Sequence, residues 1–212
     1  MEKIDELNKA FVDVRKAHRI IYEYQRRMLD LIRVIAAKLN FNNCTIGNKY
    51  FSNPIYSKRD GGLKICDGMW AWDFIYSYVF EYDLGAIECD NGSSVGLSIV
   101  QYSDTGYFDV VDSDCQQTNT FALEEESATK LLFIIECKPK KKEWVWDVEE
   151  IVNNKEFAGK SHTHTVLEKK GCRQGLYSFP IERFADEKSM IKALLEFCDF
   201  CKAQGIVQLE LV

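Results

Sequence analysis

The feature that most constrains the fold is a heptad pattern over the first 39 residues. Eleven positions follow one another at alternating spacings of three and four, and nine of them are apolar. These positions are Ile4, Leu7, Phe11, Val14, His18, Ile21, Gln25, Met28, Ile32, Ile35 and Leu39. No glycine or proline interrupts the run, and charged residues occupy the opposite side. The pattern predicts one long amphipathic helix that ends at the turn-rich residues 40–43.

The apolar stripe of this helix is narrow in its first half and wide in its second. The flanking residues are Asn8, Ala10, Arg15 and Ala17 in the first half, and Tyr22, Tyr24, Leu29 and Leu31 in the second. A narrow stripe is typical of a seam between two helices, and a wide stripe is typical of a helix that packs on a sheet. About 36 residues of helix span roughly 54 Å, but a body of about 170 residues is nearer 40 Å across. We therefore expect the first half to extend beyond the body and to form a homo-oligomer, or else to bind another protein.

Most of residues 44–185 has the character of β-strands. Aromatic side chains occupy every second position at Trp70, Trp72, Phe74, Tyr76, Tyr78, Phe80 and Tyr82. A period of two predicts a long strand with one aromatic face, and a helix is the alternative. This face is expected to be core beneath the first helix, with a stacking surface for bases or sugars as the other interpretation. Further strands are predicted at residues 95–102, 107–111, 129–137, 162–167 and 175–179.

The C-terminal region predicts a helix followed by a strand. Asp186 is a suitable N-cap, and Gly205 is a suitable residue to follow the last turn. The apolar stripe between them consists of Met190, Leu194, Phe197, Cys198 and Cys201. Residues 206–212 alternate again, which predicts a final strand. Together the patterns predict an α+β fold, with a long helix in residues 1–40 and one body in residues 44–212. That body contains a mainly antiparallel curved sheet, a C-terminal helix and the final strand.

Composition narrows the functional classes. The net charge of −6 disfavours a broad nucleic-acid-binding face, because neutralising phosphates requires an excess of Lys and Arg. No apolar run approaches the roughly 18 residues that a membrane helix needs, and the first residues do not resemble a signal peptide. The eight cysteines are therefore expected to be reduced structural thiols in the cytoplasm. The CxxC pair Cys198 and Cys201 is the alternative, as a metal or redox site.

The strand that ends in Glu136 and Lys138 is the first candidate for catalysis. The run Ile-Ile-Glu-Cys-Lys at residues 134–138 resembles the core motif of the PD-(D/E)xK nucleases, although no Pro-Asp pair precedes it. The resemblance implies that Glu136 and an upstream aspartate hold Mg²⁺ while Lys138 helps to activate the attacking water. The candidates for that aspartate are Asp112, Asp104 and Asp114. Alternate residues of a strand share a face, so Glu136 and Lys138 point the same way. The alternative is a buried strand that emerges into solvent at a Glu and a Lys.

His162 and His164 are the candidate metal ligands. In a strand the two imidazoles would share a face and together could chelate zinc or another transition metal. The third of the three histidines is His18, on the long helix, so a third ligand would have to be Cys172 or a carboxylate. The alternative is an exposed polar strand end.

Two functions are compatible with these sequence patterns. The first is a non-enzymatic intracellular interaction or regulatory module that self-associates, as a homodimer, through the N-terminal helix. The second is a Mg²⁺-dependent nuclease that uses Glu136 and Lys138, with Mg²⁺ as its cofactor. We favour the first, because its pattern spans about 36 residues while the nuclease motif rests on three. The sequence alone does not decide whether the chain is an enzyme.

Overall fold

The computed structural model describes residues 2–41, 46–50, 79–89, 91–106, 121–139, 148, 151 and 164–212. The chain contains two compact units, Met1–Ile35 and Ala36–Val212. One helix, α1 (Glu2–Lys38), runs across the border between them. The division predicted from the sequence, 1–40 and 44–212, therefore stays a prediction. Within the described ranges, no helix is both long enough and apolar enough to cross a membrane.

The long N-terminal helix is present, which confirms that prediction. It ends in a Schellman motif, in which the Phe41 amide donates to the Ala36 carbonyl at 2.9 Å and the Asn40 amide to the Ala37 carbonyl at 3.1 Å. Asn40 has a left-handed φ of 60°, a conformation that asparagine adopts more readily than most residues. The turn-rich run thus ends the helix by supplying the residue that this motif requires.

Within the described residues, the second unit is built on a six-stranded sheet in which every neighbouring pair is antiparallel. The strands are β1 (Ile46–Tyr50), β2 (Val79–Glu88), β3 (Ser94–Tyr102), β4 (Lys130–Lys138), β5 (His164–Lys169) and β6 (Cys172–Pro180). Their spatial order is β1-β2-β3-β4-β6-β5, so β6 lies between β4 and the edge strand β5. A short 3-10 helix (Ile181–Phe184) and a C-terminal helix, α2 (Glu187–Ala203), follow. The predicted α+β class with a curved, mainly antiparallel sheet is confirmed.

The β2–β3 ladder contains a bulge. Its register shifts between Asp83 and Ala86. Gly85 lies at this point with a φ of 77°, and its amide donates to Asp83 Oδ1 at 2.8 Å. A glycine with positive φ in an antiparallel ladder is typical of a β-bulge, which bends the strand and redirects its side chains.

The pairing register divides the sheet into two faces, since directly opposed residues project from the same side. On the helix face, defined by Ile99, Phe133 and Tyr177, the sheet packs against α2. Phe133 is fully buried, and its ring centroid lies 5.0 Å from that of Phe197 in α2. The far face is the opposite side. Its apolar part contains the buried residues Val79, Val100, Tyr102, Leu132, Ile134 and Leu176, which cluster with Ile151. Both faces of the central strands are thus buried, which explains the near-continuous apolar run of β4.

The C-terminal helix forms as predicted. The Asp186 carboxylate caps its N-terminus, accepting hydrogen bonds from both the amide and the hydroxyl of Ser189 at 2.9 Å. Every member of the predicted apolar stripe is buried. Gly205, with a φ of 62°, follows the last turn, and the next amide, that of Ile206, donates to the Cys201 carbonyl at 2.9 Å. This is a second Schellman motif.

The predicted final strand is wrong, because residues 206–212 contain no β-strand. The buried residues in this segment are Ile206 and Leu209, three positions apart, whereas a strand would bury every second residue. A Cβ atom at Gly175 on the helix face would lie only 2.5 Å from Ile206 Cδ1. The Val212 amide donates to the Lys38 carbonyl at 3.0 Å. The segment is therefore held by side-chain packing on the helix face and by the end of α1, not by a sheet edge.

Only the end of the aromatic run lies within the described residues. Phe80 and Tyr82 share the helix face with ring centroids 4.8 Å apart. Tyr82 is buried, and its hydroxyl donates to Gln101 Oε1 at 2.6 Å. The alternation and the core location are confirmed for this end of the run. The assignment of residues 70–78 falls outside the described residues and stays a prediction.

Candidate functional site

The apolar seam of α1 is exposed over its first half. The four apolar seam residues nearest the N-terminus are 50–64% exposed, and they are Ile4, Leu7, Phe11 and Val14. On the other side of the helix, charged side chains pair with one another: Lys16 with Asp13 at 2.9 Å and Arg26 with Glu23 at 2.7 Å. The helix therefore separates its charges from an apolar stripe that meets water.

Glu136 and Lys138, the candidate catalytic residues, lie on the far face of β4, as their spacing predicted. Glu136 is paired with Gly96 of β3 and Gln174 of β6, and Lys138 is the last residue of the strand. Glu136 is only 7% exposed, so the strand does not simply emerge into solvent at this residue. A carboxyl group buried at this depth requires polar surroundings.

The structure separates one of the three candidate aspartates from Glu136. Asp104 follows the far end of β3, eight residues from Gly96, the partner of Glu136. At about 3.4 Å per residue this is roughly 27 Å, too far to share a metal ion. Asp112 and Asp114 fall outside the described residues, so their part in a magnesium site stays a prediction.

A cavity of about 440 Å³ opens beside Glu136 on the far face. Among the described residues, its polar lining comes from four strands and includes Glu81, Asp83, Ser98, Glu136 and Gln174. Gly96, which lies between Ala86 and Glu136 in the ladder, has no side chain to fill the space. Lys138 does not line the cavity. Of the side chains that the structure describes, the other carboxylates that line the cavity are thus Glu81 and Asp83 of β2.

The polar side chains of this cavity are unusually well buried for their type. Glu81 is 3% exposed, Ser98 9% and Gln174 1%. The Ser98 hydroxyl donates to Glu81 Oε1 at 2.7 Å. From the part of the chain that the structure describes, no hydrogen bond reaches Gln174 Oε1, although this atom is itself buried. Buried polar groups gathered on one side of a sheet contribute little to stability and are typical of binding sites.

The predicted histidine pair is only partly described. His164 is the first residue of β5, paired with Tyr177, and His162 falls outside the described residues. Cys172 pairs with Lys169 at the other end of the same ladder, five residues or about 17 Å along the strand. Cys172 is therefore out of reach as a third ligand for a metal held by His164. The remaining prediction is that a carboxylate is the third ligand. Among the side chains that the structure describes, no three His, Cys, Asp or Glu residues could hold a metal ion.

The CxxC pair is buried in α2. Cys198 and Cys201 are both free thiols, and both belong to the buried stripe of the helix. Burial raises the pKa of Cys198 to about 11 and raises that of Cys201 as well. A thiol that stays protonated is a poor nucleophile and a poor metal ligand. These features favour the interpretation of the pair as structural thiols.

Comparison with known proteins places the chain in a family. The family model PM0109 matches residues 4–208. The chain belongs to the PM0109 family. It is similar to Uncharacterized protein PM0109 of Pasteurella multocida (strain Pm70), with 37% identity over 65 residues, which covers 29% of this chain and 32% of that protein. The aligned part thus spans about a third of the relative's length. No solved structure matches the chain.

The residues that sequence analysis missed in this PM0109-family chain are those that line the cavity together with Glu136. Glu81 stood out in the sequence only as a polar residue between aromatic ones, and Gln174 lay outside the predicted strand 175–179. The bulge at Gly85 sets the register of this part of β2. A strand register depends on which strands are neighbours, which no local pattern reports. The available signal was the acidic pair Glu81 and Asp83, two residues apart and therefore on one face of the strand.

Proposed function

We propose that this PM0109-family chain is a non-enzymatic interaction module that self-associates through the first half of α1. The observation that carries the proposal is the exposure of the apolar seam, at 50–64% for each of its first four apolar residues. An amphipathic helix is stabilised mainly by the packing of its apolar face, so a helix whose apolar face is exposed lacks this stabilisation. A partner that covers the seam therefore stabilises the helix as well as the complex.

The spacing of the seam indicates what kind of partner fits. Alternating steps of three and four keep one stripe turned toward a second helix of similar pitch, as in a coiled coil. Another copy of the same chain always supplies such a helix. His18 and Gln25 occupy seam positions, where polar residues fix the register at some cost in stability. We therefore take the occupant to be a second copy of α1.

The residues beside the seam are compatible with pairing between two copies. In the first half they are Asn8 and Arg15 on one side and Ala10 and Ala17 on the other. In a parallel pair, Arg15 of one copy meets Ala10 of the other, so no like charges are opposed. The small alanine side chains also allow the helices to approach closely. The absence of opposed like charges and the small size of the alanines thus both permit a homodimer.

A cytoplasmic location belongs to the same proposal. Its support is the cysteine content of eight, together with the free state of Cys89, Cys137, Cys172, Cys198 and Cys201. Thiols that remain unpaired at this density are typical of a reducing compartment.

A matched pair of variants tests the proposal by size-exclusion chromatography with light scattering. Phe11→Glu places a charge on the seam, whereas Lys9→Glu introduces the same residue on the solvent side of the same turn. We expect the intact chain and Lys9→Glu to be dimers at tens of micromolar and Phe11→Glu to be a monomer. Equal masses for the two variants, or binding to a different protein by a monomeric chain, would contradict self-association through the seam.

The second candidate is the Mg²⁺-dependent nuclease, which one specific observation supports. Glu136 is buried in a cavity that also contains Glu81 and Asp83, and paired carboxylates are the ligands that Mg²⁺ prefers. Lys138 lies outside that lining, which is why we place this candidate second. Incubation with single- and double-stranded DNA and RNA in Mg²⁺ or Mn²⁺ tests it. We expect no cleavage, and cleavage that is lost in Glu136→Ala would replace the proposal above.

A further inference from the structure

Beyond His18, the exposed apolar surface of α1 leaves the heptad seam. The seam itself becomes buried there, with Met28 4% and Ile32 2% exposed. Two apolar residues beside the seam stay exposed instead, Tyr22 at 67% and Leu29 at 46%. The apolar surface that meets water therefore continues along α1 after the seam is covered.

The geometry of a straight α-helix explains this change of stripe. Successive residues are about 100° apart, so a strict heptad pattern drifts by about 20° per heptad. From Ile4 to Ile32, four heptads later, the seam turns by about 80°. Steps of seven and of eleven residues deviate in opposite directions, each by about 20°. The four exposed residues that follow steps of 7, 11 and 7 therefore stay on one line, and they are Ile4, Phe11, Tyr22 and Leu29.

The residues between these four complete a continuous stripe, which we call the outer stripe. It follows the heptad seam from Ile4 to His18 and then continues through Tyr22, Gln25 and Leu29. Its steps are those of a heptad pattern with one extra step of four, between His18 and Tyr22. Such an insertion is a stutter, which unwinds a coiled coil locally. Two helices stay in contact through a stutter when both have it at the same level.

The need for a matching stutter indicates which helix fits. A second copy of α1 that lies parallel and in register has its stutter at the same level by construction. In an antiparallel pair with the two outer stripes fully overlapped, the midpoint falls between residues 16 and 17. The stutter at residues 18–22 would then lie opposite residues without one. The spacing of the outer stripe thus favours a parallel second copy.

The charges beside the outer stripe favour the same orientation. One side is rich in arginine, and its residues are Asn8, Arg15, Arg19, Arg26 and Arg33. The other side includes Ala10 and Ile21. In an antiparallel pair the same sides meet, which places the arginines of the two copies opposite one another. In a parallel pair opposite sides meet, so Arg15 of one copy lies beside Ala10 of the other, and Arg26 beside Ile21. The aliphatic part of each arginine then covers apolar surface while its guanidinium remains in water.

We propose that the second copy of α1 lies parallel and in register along the outer stripe, so that the contact extends to Leu29. This inference rests on the self-association proposed above and adds the extent and the orientation of the contact. The Tyr22 rings of the two copies pack against each other with their hydroxyl groups toward water. The buried part of the seam, which contains Met28 and Ile32, takes no part in the contact.

Disulfide cross-linking of the full chain tests the orientation. Tyr22→Cys introduces a thiol on the outer stripe. Ile20→Cys is the matched control, because Ile20 is 69% exposed and points about 160° away from Tyr22. Under mild oxidation we expect more covalent dimer from Tyr22→Cys than from Ile20→Cys or from the unaltered chain, whose eight cysteines give the background. In the overlapped antiparallel pair the two copies of residue 22 lie about 16 Å apart, too far for a disulfide. Equal cross-linking of the two variants therefore overturns the proposal.

Leu29→Glu tests how far the contact extends. It should raise the dissociation constant of the dimer by about tenfold or more, since it places a charge in an apolar contact. Ile20→Glu is the matched control and should leave the constant unchanged. Circular dichroism establishes that each variant is folded, and the cross-linking requires no charged variant.

The outcomes separate this inference from the self-association on which it rests. If Phe11→Glu is monomeric while folded Leu29→Glu keeps the dissociation constant of the unaltered chain, self-association stands and the extended contact is overturned. If the unaltered chain is itself monomeric, self-association is overturned and this inference with it.

Discussion

Gly175 is the position where adding a single methyl group most directly tests the packing of the second unit. It lies on the helix face of β6, beneath α2 and the C-terminal segment. A Cβ atom at Gly175 would lie 2.5 Å from Ile206 Cδ1, 2.9 Å from Phe200 Cε1 and 3.2 Å from Ile135 Cγ2. Gly175→Ala therefore forces at least two buried side chains to move.

The size of the effect follows from two opposing terms. Replacing glycine by alanine in a strand is favourable by about 0.5–1 kcal/mol, because the unfolded chain loses less freedom on folding. Forcing a methyl group into a filled core costs about 1–3 kcal/mol. Ile206 Cδ1 is the end of a flexible side chain and can rotate, but the Phe200 ring has less room to move, so we expect the packing term to prevail. The net loss should be about 1–2 kcal/mol.

Urea denaturation followed by circular dichroism measures this loss. For a unit of this size, 1 kcal/mol shifts the thermal midpoint by roughly 2–4 °C, so thermal melting supplies a second readout. Ile206→Val removes the Cδ1 atom and should cost about 0.5–1.5 kcal/mol alone, but it should recover part of the loss when combined with Gly175→Ala. The packing of Ile206 over Gly175 would be refuted if Gly175→Ala left the denaturation midpoint unchanged. It would also be refuted if the free-energy loss of the double variant equalled the sum of the two single losses.

Two further predictions concern titratable groups of α2. Hydrogen bonds from Tyr177 and Arg183 lower the pKa of Glu196 below its ordinary value of 4.5. Its contribution to stability is therefore present above about pH 4.5 and lost as pH falls through the lower folded value. The Glu196 side chain is 41% exposed, so the contribution should stay below about 1 kcal/mol, and urea midpoints between pH 7 and pH 3 should fall more for the intact chain than for Glu196→Gln. Parallel pH profiles would contradict this reasoning. The pKa of about 11 for Cys198 leaves only about 0.1% thiolate at pH 8, so Cys198 should react with a disulfide reagent only after denaturation. In the folded protein, Cys198→Ser should therefore not change the number of thiols that react quickly with the reagent. A smaller number in this variant would show that Cys198 is accessible in the folded protein.

Sequence reasoning succeeded where a pattern is local. The heptads of α1, the apolar run of β4 and the cap at Asp186 each specify an element within a few turns or residues. The residues that end the two helices, Asn40 and Gly205, also act locally, through their left-handed conformations. These elements could be predicted because each depends on its own side chains and not on what packs against them.

The remaining features depend on contacts between distant parts of the chain. The alternation at residues 206–212 resembled a strand, but the segment is anchored by Ile206 over Gly175, some 30 residues earlier. Glu136 could be identified as a candidate from its strand. Its association with Glu81 and Gln174 required the strand order β2-β3-β4-β6 and the bulge at Gly85. The crossover that places β6 beside β4 has no signature in either strand.

Sedimentation equilibrium of the unaltered chain tests the central claim, self-association through α1, most directly. Measured at several concentrations up to tens of micromolar, the mass should approach twice the chain mass of 24.5 kDa. The same experiment on Phe11→Glu should give the mass of one chain. A single-chain mass for the unaltered protein at every concentration would contradict the claim.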